Sequence, residues 1–317
     1  MIVFPTDLQQ AAASDGTIRA GGTDLMERRH ALAGGELVDL RDVEDARAIE
    51  VLPGGGVRIG ALVTIAAVAA DDAVRAGYPG FAQAAGGLAT PQIRAVGTIG
   101  GNLLQRTRCW YFRSPEAQCL KKGGSTCYAR AGDHLWHACF DLSPCAAVHA
   151  STLGMALLAY DAGVEVVGAP IATVNELLGD GGDPMRDNQL PPHAVLRTIV
   201  LPPPTRGERS AYMRAISRAR AEWPLVEVLA RIGVQGDTIA WAKLAVGGVA
   251  NVPLRLTELE AALVGVPAQP EALIAKASLA SEGASPLPMT GYKLPLLEAA
   301  VADALERALA SEPVGGA

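Results

Sequence analysis

The segment GTIGGNL at residues 97–103 is a glycine-rich motif at the start of the most chemically informative part of this chain. The segment AGGTDL at residues 20–25 also contains two adjacent glycines. In AGGTDL the glycines follow a strand and lead into a predicted helix, an arrangement in which backbone N–H groups converge on an anion such as a diphosphate, and GTIGGNL is predicted to be a second glycine-rich turn. Neither segment has the spacing of a Rossmann glycine motif or the lysine of a P-loop. Each one alone also fits an ordinary tight turn. Together they predict a nucleotide site of another kind, because glycine lets the backbone approach both sides of a diphosphate.

Around these segments, short strands alternate with short helices, which predicts an α/β or α+β layer structure. Strand composition is found at residues 17–20, 36–40 and 56–61, and helical composition at residues 65–70 and 81–85. An apolar segment from Met155 to Ala162 follows the cysteine-containing region, and residues 195–200 form a further strand candidate.

The second half of the chain has the signals of a small accessory domain. Three prolines at residues 202–204 cannot continue a strand ladder, so we expect the domain boundary there, between residues 1–204 and 205–317. Beyond them come two strand candidates, residues 228–234 and 238–247, joined by a predicted hairpin at residues 235–237. A capping box is predicted at residues 257–260 and a helix at residues 294–310.

The composition excludes several classes of function. The chain has 317 residues and a formal net charge of -6, so it lacks the basic surface that binding to a nucleic-acid backbone requires. Its apolar runs are interrupted well before the roughly 18 residues of a membrane span. The N-terminal sequence MIVFP has neither the basic nor the apolar region of a signal peptide. We therefore expect a cytoplasmic chain, or a periplasmic one if it is exported together with a signal-bearing partner.

All five cysteines lie in one polar segment, from Cys109 to Cys145. Cysteines that served only as small core residues would be scattered, so the clustering indicates shared chemistry. The spacing C-x9-C-x7-C-x17-C uses Cys109, Cys119, Cys127 and Cys145 and leaves Cys139 over. Four thiolates can bind a 4Fe-4S cluster or a structural zinc, and paired thiols can form disulfides. The lack of a C-x2-C pair weakens zinc and the odd count weakens disulfides, but spacing alone leaves all three open.

Several motifs together resemble the FAD-binding subunit of molybdenum hydroxylases, the family of xanthine dehydrogenase, carbon monoxide dehydrogenase and bacterial aldehyde oxidoreductases. They occur in the family's order along nearly the whole chain: AGGTDL at 20–25, TPQIRAVGTIGGN at 90–102, GGVA at 247–250 and YKLP at 292–295. The resemblance implies an α+β fold with FAD as a cofactor. In that fold, a two-subdomain FAD-binding domain of the vanillyl-alcohol oxidase type precedes a small C-terminal domain with an antiparallel sheet and helices.

The resemblance also implies which residues hold FAD, through backbone amides and short polar side chains. The implied contacts are Ala20, Gly21, Gly22, Thr23, Asp24, Leu25, Thr98, Ile99, Gly100, Gly101, Asn102, Ser151 and Thr152. One position departs from the family pattern, because Thr152 stands where the family has an aspartate beside the flavin. A threonine offers a hydroxyl but no charge, so we expect FAD to bind with its potential tuned differently.

Residues 105–146 resemble an insertion that some members carry, among them the periplasmic aldehyde oxidoreductase and 4-hydroxybenzoyl-CoA reductase. There the insertion holds a 4Fe-4S cluster, and by position the implied ligands in this chain are Cys109, Cys119, Cys127 and Cys145. Cys139 stands where relatives have an aliphatic residue, so we expect a small buried side chain. His134 and His137 are expected to flank the cluster segment without binding metal, and His149 to be structural.

The function implied by the resemblance is that of an electron-transfer subunit of an oxidoreductase complex, with aldehyde oxidation as the leading activity. A large subunit with the molybdenum cofactor would oxidise the substrate and a small subunit with 2Fe-2S clusters would pass the electrons on. FAD on this chain would then deliver them to an external acceptor, so no catalytic acid or base is expected here. The alternatives are a stand-alone flavin oxidase and a non-catalytic, zinc-bearing assembly subunit.

Overall fold

The structure is a computed structural model that describes residues 1–28, 35–219 and 221–315. Its strands are β1 Ile2–Val3, β2 Thr17–Arg19, β3 Leu37–Asp39, β4 Ile49–Val51, β5 Val57–Gly60, β6 Gly163–Val167, β7 Val195–Leu201, β8 Glu208–Ala215, β9 Val226–Gln235, β10 Thr238–Gly247 and β11 Leu254–Arg255. Its helices are α1 Leu8–Ala13, α2 Thr23–Glu27, α3 Ile65–Ala70, α4 Asp72–Gly77, α5 Pro79–Gly87, α6 Pro91–Val96, α7 Ile99–Leu103, α8 Trp110–Arg113, α9 Tyr128–Ala131, α10 Thr152–Ala159, α11 Val174–Leu178, α12 Thr257–Leu263, α13 Pro270–Ile274 and α14 Lys293–Ala310. Within the described ranges, no helix has the length and apolar character needed to cross a membrane.

Two sheets form the first part of the chain. β1 and β2 both pair in parallel with β3, and β4, β5, β7 and β6 form an antiparallel sheet in that order. Ile59 and Ile199 lie opposite each other across β5 and β7, and both are fully buried. Helix α10 belongs to the same core. Every residue of α10 is buried, which explains why its sequence, TLGMALLA, has no polar face.

The C-terminal part is an antiparallel sheet in the order β11, β10, β9, β8, with α14 packed against β8 and β9. Gln235 pairs with Thr238 across the β9–β10 turn, so the predicted hairpin is confirmed. In α14, Leu297, Val301 and Leu305 are spaced by four residues and fully buried, because that spacing puts them on one face of the helix. The predicted α+β class, with a C-terminal antiparallel sheet and helices, is confirmed.

One local prediction in this region is wrong. Thr257 and Glu260 do not form a capping box, because Thr257 is already the first helical residue of α12 and Leu256 occupies the N-cap position. The Glu260 carboxylate instead accepts a hydrogen bond from the Leu244 amide at 2.8 Å, which ties α12 to β10. A capping box is found instead at α11, where the Thr173 and Glu176 side chains bond each other's backbone N–H groups.

Residues 105–146 form an irregular segment around the short helices α8 and α9. Cys119 makes an isolated parallel bridge with Thr126. Towards the C-terminal end, the Cys139 amide donates to the Val249 carbonyl at 2.9 Å. The segment is therefore attached to the C-terminal sheet domain as well as to its own neighbours in sequence.

Candidate functional site

Both glycine-rich motifs line one cavity of about 490 Å³, which we name the glycine cavity. Most of the implied FAD contacts line it: Ala20, Gly21, Gly22, Thr23, Asp24, Leu25, Thr98, Gly100, Gly101, Asn102 and Thr152. Two implied contacts do not. Ile99 is fully buried in the core behind the cavity, and Ser151 is buried at the start of α10. The structure thus brings together two motifs that are more than seventy residues apart in sequence.

The first motif needs glycine at two positions. Gly22 has φ 72°, in the left-handed region that favours glycine, and the next residue, Thr23, begins α2. A side chain on Gly21 would overlap the carbonyl oxygen of Val96, so this turn lies directly against the segment that precedes the second motif. The close approach of the two backbones makes them one continuous wall of the glycine cavity.

The second motif, expected to be a turn, is the first turn of helix α7. The Thr98 hydroxyl caps it by accepting a hydrogen bond from the Gly101 amide at 3.1 Å. The amides of Ile99 and Gly100 donate to the carbonyls of Val63 and Ala61, both at 2.9 Å. These N–H groups are therefore already bonded within the protein, which corrects the expectation that they are free for a diphosphate.

Free backbone donors are found at the first motif instead. The amides of Gly21, Gly22, Thr23 and Asp24 have no acceptor within residues 1–28, 35–219 and 221–315. They belong to the turn before α2 and to the first turn of that helix, where N–H groups lack intrahelical partners. The amides of residues 21–24 are therefore the backbone groups that could bind an anion in the glycine cavity. Arg28, which also lines the cavity, adds a positive charge there.

Asn102 and Ser151 position the start of α10. Asn102 Oδ1 accepts hydrogen bonds from the Ser151 hydroxyl at 2.8 Å and from the Leu153 amide at 3.2 Å. The Ser151 hydroxyl also accepts from the Gly154 amide at 2.8 Å, which caps α10. Because of this cap, the helix begins at Thr152, three residues before the apolar segment that the sequence indicates. These contacts fix Thr152 at the edge of the glycine cavity.

The Asp24 carboxylate is held by arginines. It bonds Arg113 at 2.7 Å, Arg28 at 3.3 Å and Arg108 at shorter range, and it accepts from the Arg106 amide at 3.2 Å. Burial alone would raise the pKa of Asp24, but Arg108 and Arg113 outweigh it and keep the pKa below its usual value. Asp24 therefore joins α2 of the glycine cavity to the segment that contains the cysteines.

Four of the five cysteines line one small cavity of about 10 Å³, which we name the cysteine cavity. They are the four that the spacing singles out: Cys109, Cys119, Cys127 and Cys145. Interaction with the neighbouring Cys145 thiol lowers the pKa of Cys127 to about 5, and Cys127 together with burial raises the pKa of Cys145. Burial raises the pKa of Cys109. Cys139 lies apart from them, fully buried in the core of the C-terminal domain.

The chemistry of this donor set fits an iron-sulfur cluster. The five cysteines are free thiols, so the disulfide alternative is not found. As the side chains stand, the described part of the chain has no group of three or more His, Cys, Asp or Glu that could hold a metal ion. A 4Fe-4S cluster takes four thiolates around a body of four irons, so its ligands need not converge on one point. The cysteine cavity supplies four thiols from four separate places in one segment.

A turn of the C-terminal domain holds the cysteine segment in place. The Asn251 side-chain amide donates to the Cys145 carbonyl at 2.7 Å. The Lys293 ammonium donates to the Gly248 carbonyl at 2.6 Å and to the Trp136 carbonyl at 3.3 Å. Burial lowers the pKa of Lys293 to about 8. The GGVA and YKLP motifs therefore support the cysteine segment and do not line the glycine cavity.

Two of the histidines, His134 and His149, make contacts with the backbone. His134 Nδ1 lies 2.9 Å from the Ala129 carbonyl, and its Nε2 accepts from the Met289 amide at 3.1 Å. His149 Nδ1 accepts from the Ser151 amide at 3.2 Å, and burial lowers the pKa of His149 to about 4. Both rings are buried and hold loops together.

A third cavity, of about 600 Å³, shares lining residues with each of the other two. Three tryptophans line it, Trp110, Trp136 and Trp223, and we name it the tryptophan cavity. It shares Trp223 and Arg108 with the glycine cavity, and it shares Cys109 with the cysteine cavity. Arg108, which lines the glycine cavity, and Cys109, which lines the cysteine cavity, are consecutive residues.

Sequence reasoning missed the apolar wall of the glycine cavity. Leu40, Leu62, Leu88 and residues 194–196 line it from different elements, and Trp223 lines it from the loop before β9. No local motif marks these residues, since an apolar side chain of a strand or loop usually belongs to the core. Their role depends on tertiary contacts between distant parts of the chain.

Comparison with known families assigns the chain to a class. Residues 5–204 match the family described as "FAD binding domain in molybdopterin dehydrogenase", and residues 211–308 match "CO dehydrogenase flavoprotein C-terminal domain". The chain therefore belongs to the FAD-binding subunits of the molybdenum hydroxylase family.

Individual relatives agree with this assignment. The chain is 35% identical over 253 residues to the aldehyde oxidoreductase FAD-binding subunit PaoB of Escherichia coli K12, covering 77% of this chain and 78% of the relative. It is 34% identical over 86 residues to the xanthine dehydrogenase FAD-binding subunit of Escherichia coli O157:H7, which covers 26% of this chain and 30% of that relative. Among solved structures, reconstituted CO dehydrogenase from Oligotropha carboxidovorans has the same fold, with a TM-score of 0.75 at 23% identity over 98% of both chains. Quinoline 2-oxidoreductase from Pseudomonas putida 86 gives a TM-score of 0.74 at 20% identity, covering 98% of this chain and 96% of that one.

Proposed function

We propose that this chain is the electron-transfer subunit of a heteromeric molybdenum hydroxylase that oxidises aldehydes. The observation that carries the proposal is the glycine cavity, in which both glycine motifs meet and the first presents amides that have no acceptor among the described residues. When bound, FAD supplies a redox carrier that passes electrons from the partner subunits to an external acceptor. The chain itself binds and orients the cofactor and shields it from water.

Each part of the glycine cavity has a separate task in this proposal. The amides of residues 21–24, together with Arg28, bind the diphosphate. The apolar wall, with Leu62 and Leu88, excludes water from a planar ring system, and Trp223 covers the cavity. Ile99 and Ser151 act from behind the wall, through packing and through the cap of α10.

We further propose that the cysteine cavity holds a 4Fe-4S cluster, bound by Cys109, Cys119, Cys127 and Cys145. The support is that these four thiols, and not Cys139, line one small cavity. The donor set, four thiols with no carboxylate among the residues that line the cavity, has the chemistry of a cluster site. Its place beside the tryptophan cavity puts it near the proposed flavin site.

The partners in this proposal are a large subunit with the molybdenum cofactor and a small subunit with 2Fe-2S clusters. Aldehydes are proposed as substrates because PaoB, which is 35% identical to this chain over 77% of its length, is an aldehyde oxidoreductase subunit. We also propose residues 1–204 and 205–317 as the two domains, since the two family matches end and begin on either side of this boundary.

The first test is analysis of the native complex for FAD, iron, sulfide and molybdenum. One FAD and one additional 4Fe-4S cluster on this chain are expected. Zinc in place of iron would contradict the cluster, and aldehyde turnover by the isolated chain would favour the stand-alone oxidase.

The second test concerns FAD directly. A side chain at Gly101 would meet only the Thr98 hydroxyl, at 3.0 Å, so Gly101→Leu projects into the glycine cavity with little backbone strain. We expect it to lower FAD content. The matched control is Gly86→Leu on α5, where the added Cβ would lie 3.9 Å from the Ala69 Cβ. Equal FAD content in the folded variants would contradict the assignment of the cavity.

A further inference from the structure

His137 has a fixed position between the cysteine cavity and the tryptophan cavity. Its side chain is 3% exposed, and its backbone amide donates to the His134 carbonyl at 3.0 Å, which makes a tight turn. The ring meets Trp110 edge-on, with the centroids 5.5 Å apart. In this position the imidazole Nε2 lies 3.2 Å from the sulfur of Cys109, which is hydrogen-bond distance.

Cys109 differs from the other three thiols of the cysteine cavity. It lines the tryptophan cavity as well as the cysteine cavity, which Cys119, Cys127 and Cys145 do not. Within the part of the chain that the structure describes, it is also the thiol with a histidine at hydrogen-bond distance. The adjacent residue, Arg108, lines the glycine cavity. Cys109 is therefore the thiol on the side of the proposed flavin site.

We propose that His137 is a positioning residue that donates a hydrogen bond from Nε2 to the Cys109 thiolate and thereby raises the reduction potential of the cluster. This inference rests on the proposed function, because it requires Cys109 to be a cluster ligand. A thiolate has lone pairs but no proton, so a hydrogen bond between the two groups must be donated by the imidazole.

The effect on the potential follows from charge. Reduction adds one negative charge to the cluster and its thiolates, so a donor that bonds a ligand sulfur stabilises the reduced form more than the oxidised form. Outer-sphere donors of this kind orient and tune metal ligands in general. The donor would act at Cys109, the proposed ligand that also lines the tryptophan cavity.

The test compares His137→Leu, which fills the site without a donor, with His137→Gln, which retains a side-chain N–H. The control is His134→Gln, a nearby buried histidine whose described contacts are with backbone groups. Iron and sulfide are measured first in the intact complex. The midpoint potential is then measured by electron paramagnetic resonance in a redox titration, with the Fe–S stretching frequencies followed by resonance Raman.

For His137→Leu we expect full iron content and a lower potential, by about tenfold in the one-electron equilibrium constant or about 59 mV. His137→Gln should recover part of the shift, and His134→Gln should keep the wild-type potential. A His137→Leu protein with full iron and an unchanged potential overturns the inference alone. So does loss of iron in both His137 variants with retention in the control, since His137 would then be needed to build the site. A wild-type complex without the additional cluster overturns the proposed cluster and this inference together.

Discussion

The Asp24 network leads to a quantitative prediction about how the glycine cavity is joined to the cysteine segment. In the Asp24→Asn variant, the side chain keeps one acceptor oxygen but loses its charge. Arg113 and Arg108, whose side chains are 10% and 18% exposed, then lose their most buried partner. Removing one member of a buried ion pair costs about 3–5 kcal/mol. Glu27 still bonds both arginines, at 2.7 and 2.9 Å, so we expect a smaller loss of about 2–3 kcal/mol in the free energy of unfolding.

Glu27→Gln is the matched control for this prediction. Glu27 bonds the same two arginines, but its side chain is 55% exposed, so its removal should cost less than about 1 kcal/mol. Urea denaturation gives both values. Limited trypsin digestion should also show faster cleavage after Arg108 and Arg113 in Asp24→Asn, because the freed arginines are less firmly held.

The pH dependence gives a second check on Asp24. Its pKa is lowered in the folded state, so its contribution to stability is present above the unfolded value of about 3.8 and is lost as the pH falls through the folded value. The difference between wild type and Asp24→Asn should therefore shrink below about pH 4. Equal stability of wild type and Asp24→Asn at pH 7, or equal losses in Asp24→Asn and Glu27→Gln, would refute the reasoning.

Three further predictions concern the thiols, a buried histidine and the partners. Cys145→Ser should lose cluster iron while Cys139→Ser keeps it; the reverse result in iron and sulfide assays would exchange their roles. Because the pKa of His149 is lowered from 6.5 to about 4, its contribution to stability is complete above pH 6.5 and falls by up to about 3 kcal/mol towards pH 4. Urea midpoints at pH 7 and pH 5 should show this, with a weaker dependence in His149→Gln, and an equal dependence in both proteins would contradict it. Aldehyde should bleach the flavin only when the partner subunits are present, so bleaching of the isolated chain in an anaerobic spectrum would contradict the proposed division of labour.

Local signals in the sequence predict much of this fold because they act over short distances. The hairpin at Gln235–Thr238, helix α3 and the glycine turn before Thr23 follow from turn chemistry, apolar periodicity and the conformational freedom of glycine. The grouping of four cysteines is also predictable, because clustering within one segment limits how far apart they can lie.

Other features depend on contacts that no local pattern encodes. Thr257 matches a capping box, but the chain enters α12 one residue earlier and Glu260 bonds β10 instead. The amides of Ile99 and Gly100 in the second glycine motif donate to the carbonyls of Val63 and Ala61. Asp24 bonds arginines from a distant segment. In each case a residue distant in sequence forms a hydrogen bond or ion pair with a group for which the local sequence predicts no such partner.

The attachment of the cysteine segment to the turn around Gly248 has a consequence for the order of synthesis. The ribosome makes all four thiols by Cys145, but Asn251 and Lys293, which hold the backbone around them, are made more than one hundred residues later. A nascent chain therefore has the four proposed ligands before it has the residues that support them. For the proposed cluster, we accordingly expect delivery to follow completion of the C-terminal domain, as a maturation step after translation.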